Sequence, residues 1–156
     1  MNKDEYFMKK ALLLAKLAEK KDEVPVGAVI VKDGEIIATG RNRRETKKNA
    51  LYHAEIEAID KACKVLGGWR LCLCEIYVTL EPCPMCAGAI INSRLKRVVF
   101  GATDPKAGSV GSVVNLFELP YNHRPEVVSG ILKEECSRIL SDFFKKQRNR
   151  GAPLSR

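Results

Sequence analysis

The sequence predicts an α/β protein, a three-layer α/β/α sandwich with a mixed central sheet of about five strands and helices on both faces. Three observations carry that prediction. Segments of helical apolar period alternate with short β-branched runs in the order α-β-β-α-β-α-β, with further elements behind. Asp33-Gly34 joins the first two strand runs as a tight hairpin, so that pair is antiparallel. Helix-length segments separate the later strands, and a strand–helix–strand crossover joins parallel neighbours.

Each element follows from local chemistry. Asp4 to Glu19 is a helix, because Phe7, Ala11, Leu14 and Ala18 fall on one stripe. Lys20 to Glu23 ends it. Val24 to Val31 is apolar and rich in β-branched residues, hence a buried strand. Lys32-Asp33-Gly34-Glu35 turns the chain, and Ile36 to Thr39 returns as its partner, ending at Gly40. Arg41 to Asn49 is polar and basic and reads as a surface loop. His53 to Leu66 is a second helix with Ile56, Ala58, Ile59, Ala62 and Cys63 mostly inward, stopped by Gly67-Gly68. Glu75 to Leu80 is the third strand. A helix then opens at Pro84, a residue favoured in the first turn, and runs to about Asn92. Arg97 to Gly101 is the fourth strand. Asp104 to Ser112 and Tyr121 to Pro125 are loops around a short helical turn at Asn115 to Leu119. Val127-Val128 is a short last strand, and Glu134 to Arg148 is a final amphipathic helix. We expect one domain over 1–150 and a basic tail over 151–156.

Composition narrows the function classes. With 156 residues, 46% hydrophobic and 29% charged, the chain is long enough for a real core and ordinary for a soluble protein. It has no apolar run of about 18 residues, so no membrane span is expected. Lys9-Lys10 before Ala11 to Ala15 imitates a signal peptide, but Lys16 cuts the run short and Asp4 and Glu5 spoil its charged end. A cytoplasmic protein is expected. The six cysteines, in a chain without an export signal, point to metal binding or burial before disulfides. Cys63 and Cys136 read as core residues. Cys72-Leu73-Cys74 offers a second metal or redox pair, against the plainer reading of structural thiols. The net charge of +8 suits a polyanionic partner or simply a basic surface.

The chemistry concentrates in Thr79-Leu80-Glu81-Pro82-Cys83-Pro84-Met85-Cys86-Ala87-Gly88, which answers His53-Ala54-Glu55. Cys83 and Cys86 stand at a helix start and one turn on, where the helix dipole favours thiolates. Side chains two apart in a helix point about 200° apart, so His53 and Glu55 share a site only if His53 sits at the helix boundary. His53, Cys83 and Cys86 then supply three ligands to a tetrahedral metal and leave one position for water, the pattern of catalytic zinc. The water's pKa falls towards neutrality, and Glu55 serves as the proton carrier. A lone C-x-x-C also fits a redox pair or half of a structural zinc finger, and a lone His more often caps a helix. The joint pattern is much rarer than either.

This joint pattern resembles the zinc-dependent cytidine/deoxycytidylate deaminase superfamily, whose signature is H-x-E…P-C-x-x-C. Val24 to Ala28, Gly40-Arg41-Asn42, Thr79 to Ile90, Val99 to Gly108 and Ser141 to Phe144 are similar to its bacterial tRNA-adenosine branch, and the likeness runs from about Tyr6 to Arg148. The resemblance implies a cytidine deaminase-like fold, one Zn2+ per subunit and a homodimer with active sites near the subunit interface. It implies hydrolytic deamination of the wobble adenosine in a tRNA anticodon stem-loop. Zinc-bound water attacks C6, and Glu55 shuttles protons to N1 and to the leaving ammonia. Asn42 would hydrogen-bond the base edge. Asp104, Lys106, Asn122, His123, Phe144 and Arg148 would line the anticodon-loop groove. Two other classes stay open on the residues alone: a deaminase of free bases or nucleosides, and a non-catalytic zinc-stabilised RNA-binding module.

Overall fold

The computed structural model describes residues 1–151. The tail expected at 151–156 therefore lies, apart from Gly151, outside the described residues. Eleven elements are present among them: α1 (Lys3–Lys20), β1 (Gly27–Lys32), β2 (Glu35–Arg41), α2 (Arg44–Lys47), α3 (Ala54–Leu66), β3 (Cys74–Leu80), α4 (Pro84–Ser93), β4 (Arg97–Ala102), a 3-10 turn (Leu116–Glu118), β5 (Glu126–Ser129) and α5 (Lys133–Asn149). The strands form one mixed sheet of five in the order β2-β1-β3-β4-β5. β1 is antiparallel to both β2 and β3, while β3, β4 and β5 are parallel.

Two helices cover each face. Phe7 of α1 packs on Tyr77 of β3, and α5 brings Cys136 against Gly101 of β4 on that same face. The other face carries α3 and α4. The approach of α3 depends on Gly40, because a Cβ there would collide with the Ala54 carbonyl and the Ala58 amide. One apolar cluster runs through the layers, with Met8, Ile30, Ala58, Ile76, Ile90, Val99 and Phe143 among its members. Burying each larger side chain contributes about 1.5–3 kcal/mol.

Three sequence expectations change. The first strand begins at Gly27, not Val24. Pro25 has no N–H for a ladder, and Val26 N–H turns back to the Val24 carbonyl at 2.9 Å. The basic segment expected as loop contains the single turn α2, whose amides at Glu45 and Thr46 donate to the Glu23 carboxylate from 22 and 23 residues away. The first crossover does not join neighbours: from β2 the chain passes over β1 and pairs β3 on its far side. The hairpin fills one edge of β1, so the returning strand takes the other.

The topology sets the functional edge. β2, β3 and β4 all point the same way, so their carboxyl ends lie together on one rim of the sheet. Crevices at this rim are where open α/β sheets bind ligands.

Candidate metal centre

The two half-sites converge on that rim. His53 is the N-cap of α3, with φ −80° and ψ 158°, so it is not yet helical. This extended backbone lets its ring face the other half-site although Glu55 follows only two residues later. Cys83 is the N-cap of α4, again extended at φ −74° and ψ 175°, and Pro84 takes the first turn. The Cys83 carbonyl accepts the Ala87 amide at 2.9 Å, which starts the helix and carries Cys86 round beneath Cys83.

His53 Nδ1 lies 3.5 Å from Cys83 Sγ and 3.5 Å from Cys86 Sγ. The three donor atoms fall within 4.8 Å of one another and form the one His/Cys/carboxylate cluster of metal-binding size among the described residues. Cys86 is fully buried and His53 nearly so, while Cys83 is half-buried, leaving one side of the cluster accessible. Glu55 is completely buried in the first turn of α3.

Buried glutamates pin the walls. Glu57 accepts the Arg41 amide at 3.2 Å and pairs with Arg43 Nε at 2.9 Å. Glu23 caps α2. Glu81, two residues before Cys83, accepts the amides of Asp104, Val110 and Ser112, each at 3.0 Å, and the Ser112 hydroxyl. Burial raises the Glu81 pKa, but these donors outweigh it and hold the carboxyl below its ordinary value. Sequence reasoning assigned no role to Glu23, Glu57 or Glu81. The available signal was an acidic residue inside an apolar stretch, such as Glu81 between Leu80 and Pro82.

The other expected site residues divide between two edges. Asn42 follows β2 on the rim. It is buried, its Nδ2 donates to the Val24 carbonyl at 3.2 Å, and its Oδ1 accepts the Arg44 amide at 3.3 Å. Asp104 follows β4 on the same rim, and its Oδ1 accepts the amides of Lys106 and Ala107, which leaves Lys106 exposed on the turn. The end of α5, with Phe144 half-buried and Arg148 exposed, reaches the rim too. Its following residue Arg150 pairs at 3.2 Å with Asp22, beside the segment that holds Asn42. Asn122 and His123 lie elsewhere. His123 Nε2 donates to the Leu95 carbonyl at 2.7 Å, just before β4 and hence at the opposite edge. A six-residue strand puts that edge about 20 Å from the cluster.

Among the described residues, the remaining cysteines belong to no other metal-sized cluster. Cys72 is exposed and Cys74 buried, and neither is bonded to another thiol. Burial pushes the thiols of Cys63 and Cys74 up, and that of Cys136 to about 12, so these three behave as apolar side chains. No described helix is long and apolar enough to cross a membrane.

Comparison with known proteins agrees with this geometry. A family model described as MafB19-like deaminase matches residues 1–148. A tRNA-specific adenosine deaminase from Bacillus subtilis (strain 168) is 56% identical over 151 residues, covering 96% of this chain and 94% of that protein. A solved structure from work on A-to-I editing by tRNA:A34 deaminases at the wobble position of transfer RNA matches with a TM-score of 0.85 at 47% identity, over 86% of this chain and 99% of that one. A guanine deaminase from Bacillus subtilis is similar at 38% identity with a TM-score of 0.64, over 100% of this chain and 98% of that one.

Proposed function

The chain belongs to the MafB19-like deaminase family, and on that footing we propose that it hydrolyses adenosine to inosine at the wobble position of a tRNA anticodon, using zinc held by His53, Cys83 and Cys86. The observation that carries the substrate is the 56% identity to a tRNA-specific adenosine deaminase over 96% of the chain. The metal cluster alone would suit a deaminase of any base.

The donor geometry supports zinc. Bonds of about 2.0–2.1 Å to nitrogen and 2.3 Å to sulfur, at a tetrahedral angle, put the two donors about 3.6 Å apart. Both observed separations are 3.5 Å. Two thiolates and one neutral imidazole would offset the ion's charge, and the half-buried Cys83 leaves one side of the cluster accessible to water. Zinc there supplies Lewis acidity that makes water a competent nucleophile near neutral pH.

The chain's own residues do the rest. Glu55 accepts the proton released as the water oxygen bonds to C6 and hands it to N1 of the ring. It then takes the remaining proton from the new C6 hydroxyl and delivers it to the amino nitrogen, so the C6–N bond breaks, C6=O forms and ammonia leaves. Asn42 retains one amide N–H and one oxygen lone pair beyond those holding the loop, and these address the base edge. Asp104 orders the turn that presents Lys106, while Phe144 and Arg148 offer a stacking ring and a cation to the loop. The wobble base is unpaired, so splaying it into the site costs little. The enzyme works as a cytoplasmic homodimer with one zinc per subunit. Asn122 and His123, a strand length from their own cluster, touch the RNA beyond the target base or at the other subunit's site.

The test is an anticodon stem-loop assay with A, C or G at the target position, beside free adenine, guanine, cytosine and their nucleosides. Inosine from the A-containing stem-loop alone is expected. Turnover of guanine with none on RNA would transfer the assignment to the chemistry of the guanine deaminase it resembles.

A further inference from the structure

Glu81 is fully buried, lies outside the metal cluster, and its carboxylate accepts four hydrogen bonds from one segment. Its Oε1 accepts from the Asp104 amide and the Ser112 hydroxyl; its Oε2 accepts from the amides of Val110 and Ser112. A nine-residue loop is thus gathered at both ends onto one carboxylate. A further bond runs in parallel, from the Ser109 amide to the Pro82 carbonyl at 2.9 Å. The loop is shaped to receive this side chain, since a Cβ on Gly108 would collide with the Glu81 carboxyl. Within the loop, Asp104 turns Lys106 outward.

A buried carboxylate is costly unless fully hydrogen-bonded, and here three amides and one hydroxyl of a single loop supply those bonds. What the carboxylate adds is a fixed distance between the segment bearing Cys83 and the loop bearing Asp104 and Lys106. We propose that Glu81 is a positioning residue that holds the 104–112 loop against the metal-bearing segment as a preformed wall for the RNA substrate. Its effect is on substrate capture and not on metal retention. The proposal rests on the RNA reading of the site for its kinetic arm, but not for its structural arm.

Glu81→Gln is the principal test. The amide keeps the volume but turns two acceptor positions into donors facing N–H groups. Ser112→Ala, which removes only the hydroxyl donor, is the milder variant should Glu81→Gln fold poorly. Three measurements are made on zinc-loaded protein: zinc per chain, amide hydrogen exchange at Asp104, Val110 and Ser112, and KM and kcat on the stem-loop. Exchange at the three amides should rise in both variants with zinc unchanged. KM should rise about tenfold for Glu81→Gln, equal to one lost charge-assisted hydrogen bond, and less for Ser112→Ala, with kcat within about threefold. Loss of zinc, or unaltered exchange, would overturn the strut. Faster exchange with unaltered KM would overturn its part in substrate capture. Should wild-type protein make no inosine, the functional reading fails, and the exchange and zinc measurements still decide whether Glu81 holds the loop.

Discussion

Glu55 and Glu57 stand two positions apart on α3, so their side chains point in nearly opposite directions. Both are buried, yet they do different things. Glu57 is committed to Arg41 and Arg43 and shapes the β2–α3 connection. Glu55 lies two residues beyond His53, the N-cap of α3 and the proposed metal ligand, where the proposed reaction calls for a proton carrier. Glu55→Ala should therefore keep zinc and stem-loop affinity while deamination falls by at least about 100-fold, the lower range for losing a general acid–base. Cys86→Ala should instead lose zinc, read by metal analysis of purified protein. Retained deamination in Glu55→Ala would remove its assigned role. At this scale much was legible in the sequence. The spacing of His53, Cys83 and Cys86, with the requirement that His53 cap its helix, is enough to place the three together. Glu23, Glu57 and Glu81 were not legible, because their partners are backbone amides 16 to 31 residues away, which no local pattern reveals.

Elements meet here through small residues. Gly40 lets α3 lie directly on β2, and that contact fixes the height of His53 on the rim. Gly40→Ala forces a Cβ into the Ala54 carbonyl and should cost about 1–3 kcal/mol by overpacking. Gly68→Ala is the control, since its Cβ meets open space, and it should stay within about 0.5 kcal/mol of the parent. Urea unfolding of both variants measures this. Equal stabilities would show that α3 can ride higher on the sheet without penalty. Element types were legible because strand runs and helical stripes differ in period, and Asp33-Gly34 announced its hairpin. Boundaries and neighbours were less so. Nothing near Val24 says that its N-terminal stretch bends away, beyond the presence of Pro25. The placement of β3 beside β1 and not β2 depends on which hairpin edge is free, which is a property of the assembled sheet.

The molecule as a whole is strapped at the edge opposite the His53, Cys83 and Cys86 cluster. Asp4 in the first turn of α1 takes a bidentate pair from Arg97 of β4, at 2.9 and 2.7 Å. It also accepts the Tyr77 hydroxyl of β3 at 2.8 Å, and Glu75 of β3 pairs with Arg97 at 3.2 Å. One helix and two central strands are thereby joined through Asp4, Glu75 and Arg97, whose side chains are only 13–17% exposed. The hydrogen bonds from Arg97 hold the Asp4 carboxyl below its ordinary value of 3.8, against the opposing effect of burial. Burial first, then the Asp4 hydrogen bond, pushes the Tyr77 hydroxyl far up, so it remains a donor at any working pH. A carboxyl depressed on folding stabilises the native state above its unfolded pKa, and the contribution disappears as pH falls through the folded value. The window therefore lies below about 3.8. Asp4→Asn should lower the urea midpoint near pH 7, and its deficit against the parent should shrink as pH is taken below that value. Acid effects at groups away from Asp4 fall on parent and variant alike, so the difference between their curves isolates the strap. A deficit that persisted undiminished in acid would assign the cost to packing around the new amide instead of to the Asp4–Arg97 charge pair.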